Sequence, residues 1–99
     1  MALNLDRETI ARIAQRHGAS RIRLFGSALT DRFDPERSDV DLLVEFQNGI
    51  KDPFDAYFGL KEDLEAYFGR RVDLVMANAI RNPYFRSEVE NYAEELYAA

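Results

Sequence analysis

The amino-acid sequence predicts one α/β (α+β) domain in which a small central mixed sheet of about three to four strands is flanked by helices. Two observations predict this class. The chain has 99 residues, too few to bury a second core. Segments with strand-like apolar patterns also alternate with segments whose apolar residues recur at helical spacing. The expected order is helix, strand, short helix, strand, helix, strand, helix, with residues 1–99 forming a single domain.

The first helix has clear end signals. Asp6 is suited to the N-cap, Leu5 can pack back onto Ile10, and Gly18 suits the left-handed residue that ends a helix. His17, the only histidine, is expected to serve helix-end packing or capping. The helix therefore lies between Asp6 and Gly18.

Three segments are predicted to be strands, namely residues 21–25, 39–46 and 71–77. The second is apolar on both faces beyond its start, which is typical of a central strand in a covered sheet. Between the first two strands, residues 28–33 predict a short helix and residues 34–38 a loop.

Two further helices are predicted to begin with a capping residue followed by proline, at Asp52–Pro53 and Asn82–Pro83. Gly69 ends the first of them, and Gly59 lies inside it at a cost of about 1 kcal/mol relative to alanine. The last helix is expected to bury a stripe made of Phe85, Val89, Tyr92, Ala93 and Leu96.

Composition excludes several functional classes. The net charge of −5 argues against direct nucleic-acid binding, because phosphate neutralisation needs an excess of Lys and Arg. The absence of cysteine excludes disulfides and thiolate metal sites. Charges near the N-terminus do not fit a signal peptide, and no window has membrane-spanning length. We therefore expect a cytoplasmic protein with no membrane contact.

Acidic residues at strand starts form the first candidate site. Asp39 and Asp41 would share one face of the second strand, with carboxylates within about 7 Å of each other. Asp73 would join them if the third strand runs beside the second in matching phase. Three such carboxylates repel one another unless a cation is bound, and oxygen ligands favour Mg²⁺ or Mn²⁺. The alternative is that these acids serve only as turn and capping residues and lie in water at the edge of the strand.

Gly26 and Ser27 form a candidate anion site that complements the acidic residues. They lie at the predicted junction between the first strand and the short helix. A glycine there allows close approach of backbone to a ligand, and free N–H groups at a helix start favour an anion. A phosphate bound at this junction could share its oxygens with cations held by Asp39 and Asp41.

The stretches "GSALTDRFDPERSDVDLLVEF" and "RRVDLVMA" resemble the signature of the DNA polymerase beta-like nucleotidyltransferase superfamily. At this length the chain is most similar to minimal nucleotidyltransferase (MNT) domains, the MntA-like antitoxins of HEPN/MNT toxin–antitoxin systems. The resemblance implies the nucleotidyltransferase fold and phosphate binding by Gly26 and Ser27. It also implies metal binding by Asp39 and Asp41, with Asp73 completing the triad and helping to activate the acceptor hydroxyl.

The activity implied by the resemblance is Mg²⁺-dependent transfer of AMP from ATP to a tyrosine hydroxyl of a cognate HEPN ribonuclease toxin, with two metal ions and release of pyrophosphate. A hetero-oligomer with that partner is implied as well. Two features depart from the family pattern: the spacer of eleven residues between Ser27 and Asp39 carries an insertion, and no arginine follows Gly26–Ser27. Arg32, Arg37 or Arg70 could replace it.

Two alternatives remain open at this stage. The domain could be an inactive binding module that neutralises a HEPN partner by occlusion, because the departures bear on catalysis more than on fold. It could also be a transferase that adds nucleotides to an RNA 3′ end, although the acidic composition gives this little support.

Overall fold

The computed structural model of the chain describes residues 5–25, 40–79 and 81–99. The short helix and loop expected over residues 28–38 lie outside these ranges, as do Gly26, Ser27 and Asp39. The described elements are α1 (Arg7–Arg16), β1 (Ala19–Phe25), β2 (Val40–Phe46), α2 (Pro53–Phe68), β3 (Val72–Met76), a 3-10 turn (Ala77–Ala79), α3 (Pro83–Tyr92) and β4 (Glu94–Ala98).

The four described strands form one mixed sheet in the order β3-β2-β1-β4. β1 is antiparallel to both of its neighbours, whereas β2 and β3 are parallel. The end of β1 and the starts of β2 and β3 therefore lie at the same end of the sheet. The prediction of a small mixed sheet with β2 in a central position is confirmed.

Local capping signals set the ends of the two helices that cover the sheet. The carboxylate of Asp6 accepts hydrogen bonds from the N–H groups of Glu8 and Thr9 at the start of α1. Asp52 accepts from the N–H of Asp55 at the start of α2, and Gly69 ends that helix with a left-handed φ of 68°. Both helices therefore begin and end where the sequence predicts.

The core lies between one face of the sheet and helices α1 and α2. Alternate strand residues supply one side of it, and a short apolar stripe on each helix supplies the other. The buried residues are Ile10, Ile13, Ala14, Ala19, Ile22, Leu24, Val40, Leu42, Val44, Leu60, Leu64, Val72, Leu74 and Leu96. The opposite face, called the second face below, carries Arg21, Arg23, Asp41, Leu43, Glu45 and Asp73.

His17 joins α1 to α2. Its Nε2 lies 2.6 Å from Oδ2 of Asp63, and the imidazole packs directly over the backbone of Gly59. Because an ionised carboxylate can only accept, the ring donates this hydrogen bond. The structural role expected for this histidine is confirmed, and Asp63 is its partner.

The end of the chain differs from the prediction. α3 stops at Tyr92, and residues Glu94–Ala98 form a strand instead of continuing the helix. β4 pairs with the open edge of β1, buries Leu96 in the core, and places Glu95 2.6 Å from Arg21. The helix predicted through Leu96 was therefore wrong, because backbone pairing along β1 outweighs the helix propensity of the glutamates.

No helix in the described ranges combines the length and the apolar character that crossing a bilayer requires.

Candidate functional site

Two acidic residues meet at one end of the sheet. Asp41 in β2 and Asp73 in β3 are register partners on parallel strands, and they lie on the second face. The chains of neighbouring strands run about 4.8 Å apart, so the two carboxylates belong to one small region. Asp41 is half-buried and Asp73 is exposed. The matching phase that Asp73 needs in order to lie beside Asp41 is confirmed.

This region, called the acidic end below, also receives the end of β1. Phe25, the last residue of β1, is the register partner of Asp41. In the sequence Gly26 and Ser27 come directly after Phe25, and Asp39 comes directly before Val40. Those three residues lie outside the described ranges, so their part in the site remains a prediction.

The electrostatics of the acidic end favour a cation. Like charges at directly neighbouring strand positions destabilise a sheet, and a divalent ion between them removes the repulsion. Carboxylate oxygens without His or Cys are the ligands that Mg²⁺ prefers. Within the ranges that the structure describes there is no group of three or more His, Cys, Asp or Glu residues able to hold a metal ion, and the predicted triad needs Asp39.

Tyr57 of α2 supports the strand beside this region. Its hydroxyl donates a hydrogen bond of 2.5 Å to the carbonyl of Leu74, the residue after Asp73. Burial raises the pKa of the Tyr57 phenol above its usual value, and the negative charge of Asp73 raises it further. In the sequence Tyr57 lies at helical spacing with Leu60 and Leu64, a pattern that indicates a core residue and gives no sign of this hydrogen bond. Its hydroxyl fixes α2 against the strand that carries Asp73.

Arg23 is a polar residue of the second face that sequence reasoning missed. Only 9% of its surface is exposed, and its Nη2 lies 3.4 Å from Oε2 of Glu45. The alternation of Arg21 and Arg23 with Ile22 and Leu24 predicts a strand but does not show that Arg23 is buried. The signal that could have placed Arg23 is its neighbour Leu43, because an apolar residue on that face of β2 indicates that the face is partly covered.

The comparison of the sequence with known families gives one clear match. The profile of the family described as the nucleotidyltransferase domain matches residues 7–96. No match is found among curated proteins.

Solved structures share the fold. The structure of a candidate minimal nucleotidyltransferase is 38% identical, covers 88% of this chain and 85% of its own, and superposes with a TM-score of 0.72. A toxin–antitoxin crystal structure with AMP-PNP gives a TM-score of 0.70 at 21% identity, over 96% of this chain and 75% of that one. A complex of a tri-AMPylated HEPN toxin with an MNT antitoxin, from Shewanella oneidensis, gives a TM-score of 0.63 at 20% identity. That match covers 96% of this chain and 71% of the other.

Proposed function

Because the chain belongs to the nucleotidyltransferase domain family, we propose that it is a protein adenylyltransferase that transfers AMP from ATP to a tyrosine hydroxyl of a HEPN ribonuclease toxin. As a single domain over residues 1–99 it would neutralise that toxin and assemble with it. The observation that carries the proposal is the register pair Asp41 and Asp73 at the acidic end. It supports a shared carboxylate site beside the chain segment that begins with Gly26 and Ser27.

In the proposed reaction the tyrosine oxygen attacks the α-phosphorus of ATP. The bond from that phosphorus to the oxygen bridging to the β-phosphate breaks, and pyrophosphate leaves with the electron pair. Asp73 takes the phenolic proton or orients the hydroxyl, since it is the exposed member of the described pair. Gly26 and Ser27 hold the phosphates through backbone and hydroxyl donors.

Asp39, Asp41 and Asp73 would hold Mg²⁺, with two ions as the expected number and Mn²⁺ as a substitute. The donor set fits this assignment, because Asp41 and Asp73 offer hard oxygen ligands from neighbouring strand positions. When bound, the ions supply neutralisation of the charge that develops on the phosphates.

A protein acceptor is supported by two observations. Solved structures of the same fold include an MNT antitoxin in complex with a tri-AMPylated HEPN toxin. The chain also exposes large aromatic side chains: Phe54 is 74% exposed, Phe58 48% and Tyr84 84%. The rings of Phe54 and Phe58 lie 4.7 Å apart on α2 and form an apolar patch of the kind that contacts other proteins.

The same aromatic patch favours a second candidate, in which the domain neutralises its partner by occlusion without chemistry. Binding of the partner alone therefore does not separate the two candidates. Nucleotide transfer does, because only the enzyme needs the acidic end.

The decisive experiment incubates the purified chain with ATP labelled at the α-phosphate, Mg²⁺ and a candidate HEPN partner from the same genome. We expect label on a tyrosine of the partner, and loss of that label with the double variant Asp41→Asn, Asp73→Asn. A partner that binds tightly, stays unlabelled with wild type, and is still neutralised by the double variant would establish the occlusion candidate instead.

A further inference from the structure

The strand that carries Asp73, β3, is an edge strand of the described sheet, with β2 on its inner side. The N–H of Val40 donates to the carbonyl of Arg71 at 3.0 Å, so that carbonyl points toward β2. The backbone groups of successive strand residues point alternately to the two sides of a strand. The N–H and C=O of Asp73 therefore point toward β2, whereas those of Val72 and Leu74 point to the outer edge.

Two side chains of α2 cover this outer edge. Oε2 of Glu65 accepts a hydrogen bond of 3.0 Å from the N–H of Val72. The hydroxyl of Tyr57 donates one of 2.5 Å to the carbonyl of Leu74. Both side chains are half-buried, whereas Asp73 between the two contacts is exposed. These two contacts, called the edge clamp below, hold the backbone of β3 on either side of Asp73.

Asp73 lies where the strand needs such support. It is the second residue of a five-residue strand, and the ends of an edge strand open more readily than the centre of a sheet. Repulsion between its carboxylate and that of Asp41 favours such opening. A register slip of one residue would turn the Asp73 side chain to the core face, away from Asp41. The edge clamp opposes both movements, because it fixes Val72 and Leu74.

We propose that Tyr57 and Glu65 are positioning residues of the transfer reaction, which hold the carboxylate of Asp73 beside Asp41 through the backbone of β3. The inference rests on the proposed function, since that function gives Asp73 its part in the reaction. Misplacement of a catalytic group by about 1 Å can slow a reaction about 100-fold. Loss of either hydrogen bond of the edge clamp is therefore expected to slow transfer.

Four variants separate positioning from general stability. Tyr57→Phe and Glu65→Met each remove one contact, because phenylalanine has no hydroxyl and a thioether is a weak acceptor. Glu65→Gln removes the charge but keeps an amide oxygen that accepts from the N–H of Val72. Tyr67→Phe is the matched control on the same helix, since the hydroxyl of Tyr67 accepts a hydrogen bond of 2.8 Å from the N–H of Asp6 at the start of α1.

The first measurement is amide hydrogen exchange followed by NMR, with the full chain alone in EDTA. Tyr57→Phe and Glu65→Met are each expected to speed exchange of the Asp73 amide at least about fivefold more than Tyr67→Phe does. Glu65→Gln should exchange like wild type. This measurement needs no nucleotide, partner or metal ion, so it reports on the edge clamp independently of the reaction.

The second measurement is the steady-state rate of AMP transfer to the candidate HEPN partner in the presence of Mg²⁺. Tyr57→Phe and Glu65→Met should each lower kcat at least about tenfold. The KM for ATP should stay within about twofold of the wild-type value, because the proposed phosphate-binding residues Gly26 and Ser27 are unchanged. Tyr67→Phe and Glu65→Gln should keep kcat within about twofold of wild type, which a general loss of stability in all variants would not produce.

The inference is overturned if Tyr57→Phe and Glu65→Met exchange the Asp73 amide no faster than Tyr67→Phe, or if they transfer AMP with the kcat of wild type. It is also overturned if Glu65→Gln behaves like Glu65→Met, because the effect would then come from the charge of Glu65 and not from its hydrogen bond. Absence of transfer by wild type would instead refute the proposed function. The exchange rates would then decide alone whether the edge clamp holds Asp73 in place.

Discussion

Asp41 and Asp73 are register partners on parallel strands, so two side chains of like charge project from the same face of the sheet. Neither position needs an acid for the fold, because the residues that alternate with them, Val40, Leu42, Val72 and Leu74, supply the core. Like charges at directly neighbouring strand positions repel each other, and a bound cation removes that repulsion. We therefore propose that the pair serves the function, and we expect its removal to affect stability and activity in opposite directions.

Asp73→Asn tests whether stability and activity change in opposite directions. In EDTA we expect a melting temperature equal to or above that of wild type, because repulsion with Asp41 is removed. AMP transfer to the partner should fall by at least about 100-fold, the usual range for loss of a group that handles the proton. Added Mg²⁺ should raise the melting temperature of wild type but not of the variant.

Asp55→Asn is the matched control, since Asp55 is an exposed acid in the first turn of α2. It should keep the response to Mg²⁺ and the transfer rate. If Asp73→Asn also kept both, the register pair would have no part in metal binding or catalysis.

The predictable parts of the fold have local signals. Asp6, Asp52 and Gly69 mark helix ends through contacts within a few residues, and the alternation in β2 fixes which side chains enter the core. The position of Asp73 beside Asp41 could also be predicted, because Val72 and Leu74 set its phase. What the sequence could not show depends on distant contacts. β4 exists because the edge of β1 accepts it, and Arg23 is buried because its face of the sheet is partly covered.

Leu96→Ala tests the unexpected strand. Leu96 is 4% exposed and belongs to the core cluster, so truncation should lower the free energy of unfolding by about 2 to 5 kcal/mol. Urea denaturation measures the loss. Glu95→Gln on the same strand weakens an exposed ion pair with Arg21 and should cost less than about 1 kcal/mol. Equal small losses for the two variants would indicate that β4 is not docked.

Tyr57→Phe should show a pH-dependent loss of stability. The variant leaves the Leu74 carbonyl without this donor, and near neutral pH we expect a loss of about 0.5 to 1.5 kcal/mol. Burial, with a smaller contribution from Asp73, raises the pKa of the folded-state phenol, so its stabilising effect is complete below the unfolded-state pKa. The difference between wild type and variant should therefore shrink as the pH rises above about 10.

Tyr84→Phe is the control for alkaline effects, because that side chain is 84% exposed. It should match wild type in urea denaturation at every pH. A Tyr57→Phe deficit that stays constant through the alkaline range would contradict the raised pKa.

Asp63→Asn should show the opposite pH dependence. The hydrogen bond from His17 lowers the pKa of the Asp63 carboxyl, with smaller contributions from the charges of His17 and Arg16. A carboxyl group whose pKa is lowered in the folded state stabilises the fold fully above its unfolded-state pKa. This stabilisation is lost as the pH falls through the folded-state pKa. We expect a deficit of about 1 kcal/mol near neutral pH that shrinks below about pH 4. Glu62→Gln, an exposed neighbour on α2, should show neither effect.

Gly59→Ala separates helix propensity from packing. Alanine inside a helix is favoured over glycine by about 1 kcal/mol. At this position, however, a Cβ would lie 2.8 Å from Cε1 and 2.9 Å from Nδ1 of His17. Displacing the ring strains its 2.6 Å hydrogen bond to Asp63, so we expect a net destabilisation of about 1 to 3 kcal/mol in thermal or urea unfolding.

A double-mutant cycle with His17→Ala completes this test. Without the imidazole the space beside residue 59 is open, and Gly59→Ala should then stabilise the chain by about 1 kcal/mol through helix propensity alone. The stability change caused by Gly59→Ala therefore reverses its sign when His17 is replaced. Such a reversal indicates direct contact between the two residues. Stabilisation by Gly59→Ala in the wild-type background would mean that His17 does not pack against this turn of α2, and that α1 and α2 meet in another way.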